Sequence, residues 1–235
     1  MSDAYNLHGM ALLDCFRGET DAMLVVHQDG ERDDVPAAFW LRQTIDPLEA
    51  RALDLCAGRV LDVGAGAGLH TLELQRRGFD VTAIDVAAEC IVIMKERGVR
   101  RAEQADLYAF AGGPFDTIVN LCNGLDKVGR LADLPRFLDR MRSMLAPGGQ
   151  LLADSFDLRV GADASRLAQI ERRTAAGRYF GELDLRFEYK GRSGADFTVL
   201  QVDYETLAAA AADHGWTCEQ IATAGGHYLA RLRTS

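Results

Sequence analysis

The sequence predicts an α/β fold built on a mainly parallel sheet, and three observations carry that expectation. Short strand-like runs, "RVLDVG" and "DVTAID", alternate with helical stretches, "LHTLELQRRG" and "ECIVIMKERG", which is the pattern of βαβ units. Both helical stretches stop at a glycine, Gly78 and Gly98, where a left-handed residue closes a helix. The first strand runs straight into Gly64, Gly66 and Gly68 before its helix begins, and such glycine turns let a backbone approach a ligand closely.

Each further element follows in order. Ile45 to Gly58 reads as a punctuated helix, with Asp46 as cap, Pro47 in the first turn, Glu49 at the capping-box position and Gly58 as stop. "RAEQAD" (Arg101 to Asp106) is the third strand and "FDTIVNLC" (Phe115 to Cys122) the fourth. Leu131, Leu134, Leu138, Met141 and Leu145 recur at steps of three and four, one apolar helix face. "APGG" then turns the chain into "QLLADSF", the fifth strand. Asp203 caps a helix through "YETLAAAAADHG", and "TCEQIAT" and "HYLARLR" form an antiparallel hairpin about a short turn, Ala224 to Gly226. Two pieces stand outside the alternation. One precedes Asp46; the other, Asp157 to Gln201, contains "ELDLRFEYKGRSGADFTVLQV", a hairpin turning at Gly191 to Gly194. Insertions of that size serve as lids or oligomer contacts.

Composition narrows the function classes. The 235 residues suit one large domain, or one domain with a modest addition. Hydrophobic residues at 48% and charged residues at 26% are ordinary for a soluble globular chain. A net charge of −9 repels nucleic acid and anionic membrane, so neither is an expected partner. No apolar run reaches the length of a membrane span, and "MSDAYNLHGM" is no secretion signal, so a cytoplasmic location is expected. Five scattered cysteines, without a CxxC, read as reduced thiols mostly in the core. The five histidines lack a metal-ligand spacing, so no metal is expected, and His70 and His227 read as structural.

The glycine loop carries most of the functional information. In "VLDVGAGAGLHTLELQRRGFDVTAID" the spacing is G-x-G-x-G, and the third position of a dinucleotide fingerprint falls at Leu69. Asp85 ends the following strand, where a carboxylate accepts ribose hydroxyls. Asp62, two residues before the loop, is unwelcome beside a pyrophosphate but suits an ammonium and a sulfonium. Charge therefore favours S-adenosylmethionine (SAM) over NAD.

The same stretch resembles motif I and the next strand of class I SAM-dependent methyltransferases. "QADLYAF" is similar to that family's adenine-contacting turn, "PFDTIVNLCNGL" to its fourth strand and "LAPGGQLLADSFD" to its fifth, and the terminal helix and hairpin follow in the same order. The resemblance covers Ala57 to Asp157 motif by motif and extends to bacterial members of small-molecule type. It implies a Rossmann-like sheet of seven strands, order 3-2-1-4-5-7-6 with the last antiparallel, and helices on both faces. It further implies an N-terminal helical lid over residues 1–45. The methyltransferase domain would span 46–235, with the excursion at about 157–201 covering the substrate side.

Residue by residue, the resemblance implies a cofactor site. Asp62 would orient the loop and the methionine amine, and Gly64, Ala65, Gly66 and Gly68 would pass under the methionine part. Asp85 would take the ribose hydroxyls, Val86 would pack on adenine, Asp106 would accept from the adenine amine, and the Leu107 amide would donate to the ring. The Asn120 backbone would lie near the methionine amine, and Arg42 would pair with its carboxylate.

The expected reaction is methyl transfer to a small-molecule oxygen, nitrogen or sulfur nucleophile, leaving S-adenosylhomocysteine. Positioning and exclusion of water supply most of that acceleration, so no catalytic residue is required and none is singled out. "NLCNGL" stands where methylases of amide or exocyclic amine nitrogens carry an N-P-P-Y-type motif, which disfavours those classes. Asn123, Arg159, Tyr179 and Trp40 are candidate substrate contacts. Asn123 serves equally as a loop cap, and Trp40 as ordinary packing. The protein is expected as a monomer or homodimer. The alternatives are an NAD-dependent oxidoreductase and a non-catalytic SAM-binding protein.

Overall fold

The computed structural model describes residues 2–234. The chain opens with α1 (Ser2–Phe16), β1 (Met23–Gln28), β2 (Glu31–Pro36) and α2 (Pro47–Asp54). Next come β3 (Arg59–Val63), α3 (Leu69–Arg76), β4 (Asp80–Asp85), α4 (Ala88–Glu96), β5 (Ala102–Gln104) and β6 (Phe115–Asn120). A 3₁₀ turn at Gly124–Val128 leads to α5 (Leu134–Met144) and β7 (Leu145–Phe156). The remainder is α6 (Ala164–Ala175), β8 (Glu182–Tyr189), β9 (Arg192–Ser193), β10 (Phe197–Leu200), α7 (Tyr204–Asp213), β11 (Trp216–Ala224) and β12 (His227–Thr234).

The main sheet runs β5-β4-β3-β6-β7-β12-β11, which in order of appearance is 3-2-1-4-5-7-6 as the sequence led us to expect. β3, β4 and β5 pair in parallel, as do β6 and β7, while β12 is antiparallel to β7 and β11. The residues group into two compact units. The first holds the N-terminal segment to Ile45, Arg59–Ala111 and Asp184–Phe197; the second holds Asp46–Gly58, Gly112–Leu183 and the chain from Thr198 onward.

In the first unit the strands are buried on both faces, so they read as apolar runs: Val60, Leu61 and Val63 on β3, and Val81, Ala83 and Ile84 on β4. Helices α3 and α4 close as their glycines require. Gly78 and Gly98 have φ of 90° and 93°. The Phe79 and Val99 N–H groups reach back to the Leu74 and Met94 carbonyls, completing two Schellman ends. In the second unit α2 carries the expected capping box, with Glu49 N–H donating to Asp46 and Asp46 N–H to the Glu49 carboxylate. Helix α5 buries Leu134, Phe137, Leu138, Met141 and Met144; of the face read from the sequence, Leu134, Leu138 and Met141 lie in it, while Leu131 opens the preceding turn and Leu145 begins β7.

Several expectations are corrected. The N-terminal segment is not wholly helical: β1 and β2 form a hairpin about Asp29-Gly30, both with positive φ (51° and 91°), a type I′ turn. That hairpin joins β8, β9 and β10 of the later excursion in a separate five-stranded sheet. Helix α2 ends at Asp54, before Gly58; Gly58 instead lets the chain pass Asp116, whose carboxylate a Cβ there would strike. Strand β7 begins at Leu145, with "APGG" inside an irregular first stretch, since the register shifts between Phe115 and Thr117. The cysteines form no disulfide, but only Cys15 and Cys90 are buried, and Cys122 is exposed. Among the described residues no helix is long and apolar enough to cross a membrane.

Candidate functional site

In the first unit, β3 delivers the chain into the loop Gly64–Gly68. The Gly64 and Ala65 N–H groups donate to the Ile84 carbonyl, which ties the loop to the end of β4. Gly64, Gly66 and Gly68 all take left-handed φ, 67°, 55° and 80°. Two of them differ in what surrounds them. A Cβ on Gly68 would sit 2.9 Å from Met94 Cγ and 3.0 Å from Val99 Cγ2, so that glycine serves helix packing. A Cβ on Gly66 would meet nothing within 4 Å, so that glycine opens onto free space.

The loop is held by acids. Asp85 accepts the Gly66 N–H through Oδ2 at 2.9 Å and the Ala87 N–H through Oδ1 at 2.9 Å, so one carboxylate fixes two turns. Asp62 is buried and accepts the Thr71 hydroxyl at 2.6 Å, which locks β3 to the first turn of α3. Arg97 donates to the Ala67 carbonyl at 2.7 Å, and burial lowers the guanidinium pKa.

The adenine-side candidates lie in the same unit. Gln104 donates to the Val86 carbonyl at 3.0 Å. Asp106 is exposed and caps its own turn, accepting the Tyr108 N–H at 2.8 Å through Oδ1. Leu107, beside it, is buried. Trp40 packs against a cluster of Leu12, Ala67, Ala87, Cys90 and Ile93, flanking the loop and the residue after Val86. Its ring meets His8 edge-on at 4.8 Å, and His8 stacks on Phe187 at 5.8 Å. Burial lowers the His8 pKa to about 4. Gly9 lets α1 press onto the start of α4, where a Cβ would meet Ala87 at 3.0 Å and the Glu89 carboxylate at 2.9 Å. Arg42 donates to the Thr44 carbonyl at 2.7 Å.

In the second unit, β6 ends at Asn120, and Cys122 and Asn123 follow with φ of 64° and 55°. Two consecutive non-glycine residues in the left-handed region mark a strained turn. Asp154 on β7 holds it, accepting the Asn123 N–H at 3.1 Å and the Gly124 N–H at 2.7 Å. Asn120, fully buried, donates to the Gly124 carbonyl at 2.8 Å. Tyr179 and Arg159 are engaged by the protein's own acids. The Tyr179 hydroxyl donates to Asp203 Oδ2 at 2.5 Å, and Arg159 forms a fork with Asp157 at 2.9 Å on both arms. Asp203 also caps α7, so Tyr179 acts as a lock on that helix.

Thr71, Arg97, Gly9 and Asp154 were not read from the sequence. Thr71 had a local signal, since it sits one turn into the helix behind the loop; the other three make contacts set only by tertiary packing.

A strand, a glycine turn and a helix, with an acid ending the next strand, define a cofactor-binding βαβ unit. A family model described as a methyltransferase domain matches residues 37–221. A SAM-dependent methyltransferase from Bacteroides fragilis, solved in complex with S-adenosyl-L-homocysteine, shares 35% identity over 99% of this chain and 96% of its own, with a TM-score of 0.85. The ubiquinone biosynthesis O-methyltransferase of Xylella fastidiosa (strain 9a5c) is 32% identical over 121 residues, 48% of each chain. That of Chelativorans sp. (strain BNC1) is 34% identical over 125 residues, 50% of this chain and 46% of its own. The chain thus spans about half the length of the curated relatives it matches. The chain belongs to the class I SAM-dependent methyltransferase family.

Proposed function

We propose that this protein transfers the methyl group of SAM to a small-molecule acceptor. The observation that carries the reading is the Gly66–Asp85 pairing: a glycine open to free space, bonded at its N–H to the carboxylate that ends the neighbouring strand β4. Both features suit a ribose with adjoining methionine passing over the loop. When bound, SAM supplies an activated methyl group on a sulfonium.

The chain's own residues would do the holding. Asp85 takes the ribose hydroxyls, Val86 packs on adenine, and Asp106 and the Leu107 amide read its edge. Asp62, through its bond to Thr71, keeps the loop in shape for the methionine amine. The Asn120 backbone and Arg42 receive the amine and carboxylate ends, and Trp40 closes over the loop. The expected setting is a cytoplasmic monomer or homodimer acting on a small molecule. Residues 1–45 then cover the cofactor, and the excursion at about 157–201 covers the substrate side. The NAD oxidoreductase reading is not favoured, because the family match points to SAM.

Calorimetry with S-adenosylhomocysteine tests the reading. We expect one site per chain at micromolar concentration, and methyl transfer from labelled SAM into a small-molecule pool. Absence of binding at high micromolar concentration would sink it.

A further inference from the structure

Helix α4 ends on a fixed stop from which one side chain reaches the glycine loop. The Arg97 N–H donates to the Ile93 carbonyl at 2.9 Å, the Gly98 N–H to Lys95 at 3.1 Å and the Val99 N–H to Met94 at 2.9 Å. Helix α3 grips the same stop: the Gln75 amide donates to the Gly98 carbonyl at 3.2 Å and accepts the Arg100 N–H at 2.7 Å. The Arg97 backbone is thereby tied to the helix into which the loop leads. From there Arg97 Nη1 donates to the Ala67 carbonyl at 2.7 Å, across 30 residues of sequence.

The loop that it reaches depends on a particular turn. The Gly68 N–H donates to the Ala65 carbonyl at 2.8 Å, which places Gly66 and Ala67 at the centre of a four-residue turn. Of those two only Gly66 has positive φ, 55°, the type II′ arrangement. Flipping the central Gly66–Ala67 peptide would convert the turn to type I′ and drive Ala67 into the left-handed region, which an L-residue resists. Asp85 holds one side of that peptide through the Gly66 N–H, and Arg97 holds the other through the Ala67 carbonyl. Apolar contacts set how deep the loop sits, with Ala65 against Ile91 and Met94 and Ala67 against Cys90 and Ile93. Such contacts are non-directional and do not aim a carbonyl. The bond from Arg97 does.

A cation after the last turn of a helix also steadies that helix, and Arg97 could serve α4 in this way alone. Lys95, exposed in the same turn, already supplies such a cation. Burial lowers the Arg97 pKa, a desolvation penalty that a cation serving only the helix end would avoid by staying in water. The adenosine end of the cradle has braces of its own, Gln104 on the Val86 carbonyl at 3.0 Å and Asp85 on the Ala87 N–H at 2.9 Å.

We propose that Arg97 is a positioning residue for the cofactor. By fixing the Ala67 carbonyl it keeps the Gly64–Gly68 turn in the shape that receives the amino-acid arm of SAM, and it leaves the adenosine end unaffected.

This role rests on the methyltransferase reading, and two ligands separate them. S-adenosylhomocysteine carries the amino-acid arm, whereas 5′-methylthioadenosine keeps the adenosine and the thioether and lacks the arm. Both are titrated calorimetrically into wild type and variants, with urea unfolding alongside. Arg97→Met should weaken S-adenosylhomocysteine about tenfold or more and 5′-methylthioadenosine by less than about twofold. Arg97→Lys keeps the charge and an N–H donor, so it should restore S-adenosylhomocysteine to within about threefold of wild type. A residue that only supports the fold would weaken both ligands by a common factor. Equal losses, an unchanged S-adenosylhomocysteine affinity, or no recovery with lysine would overturn the proposal. Should Arg97→Met not fold, Ala67→Gly puts the same question with Arg97 in place. It removes the chirality that resists the flip and should show the same selective loss; equal or absent losses there would overturn the proposal too. Wild-type protein that binds S-adenosylhomocysteine while the variants lose both ligands equally keeps the cofactor reading and removes only the role of Arg97. Wild-type protein that does not bind it removes both.

Discussion

Gly66 and Gly68 sit two residues apart with similar φ, yet the structure assigns them different work. Alanine at either position must adopt the left-handed region, at a cost of roughly 1–2 kcal/mol. At Gly66 the cost ends there, because the new Cβ meets nothing within 4 Å. At Gly68 the Cβ would press on Met94 Cγ at 2.9 Å and Val99 Cγ2 at 3.0 Å, and overpacking of that kind adds about 1–3 kcal/mol. Gly68→Ala should therefore lose about 2 kcal/mol more stability than Gly66→Ala, or about 4–8 °C in Tm for a chain of this size. Binding should reverse the order. The Gly66 methyl enters the space assigned to the cofactor, so Gly66→Ala should weaken S-adenosylhomocysteine by more than tenfold, equivalent to about 1.4 kcal/mol. Thermal unfolding of the apo variants and calorimetry with S-adenosylhomocysteine measure the two effects. Equal destabilisation of both variants, or unchanged affinity in Gly66→Ala, would refute the assignment.

Further outcomes follow from the same geometry. Asp85→Asn keeps one acceptor oxygen where two are used, so it should cost about 1–2 kcal/mol of stability and roughly tenfold in S-adenosylhomocysteine affinity, read by urea unfolding and calorimetry. Thr71→Val leaves the buried Asp62 carboxylate without its hydroxyl donor and should lower stability by about 2–4 kcal/mol in urea; a loss under 0.5 kcal/mol would mean that the 2.6 Å bond contributes little. His8 is held neutral with a pKa near 4, below its unfolded value of about 6.5. The folded state therefore binds fewer protons, and stability should fall as pH drops from about 6.5 toward 4. His8→Phe should flatten that slope in urea unfolding at a series of pH values.

The cofactor half was legible in the sequence because its signals are local. A strand, three glycines, a helix stop and the acid at Asp85 all lie within one βαβ unit, where short-range rules apply. The capping box at Asp46 and Glu49 was legible for the same reason. The turn after β6 was not. Asn123 could be named as a residue after a strand, but its clamp, Asp154, lies on another strand, and the burial of Asp126 depends on packing that no spacing encodes. The five-stranded sheet was not legible, although the Asp29-Gly30 turn is a strong local hairpin signal, because it depends on β1 pairing with β8 from a distant part of the chain. Arg159 and Tyr179 could be named from their places near strand ends, but their bonds to Asp157 and Asp203 depend on the fold.

The pairing of β1 with β8 has a consequence for how the chain is made. Val26 faces Phe187, about 160 residues later, and Tyr189 and Lys190 both bond to Asp14 on α1. At translation speeds of roughly 5–20 residues per second, the hairpin waits on the order of 8–30 s on the ribosome before its neighbouring strand emerges. During that interval β1 presents an unpaired edge, an invitation to association with other nascent chains. The charges of β2, Glu31, Arg32, Asp33 and Asp34, lie on the far side of the hairpin and leave that edge unguarded. Expression yield should therefore depend on synthesis rate and chaperone supply more than the stability of the finished protein would suggest.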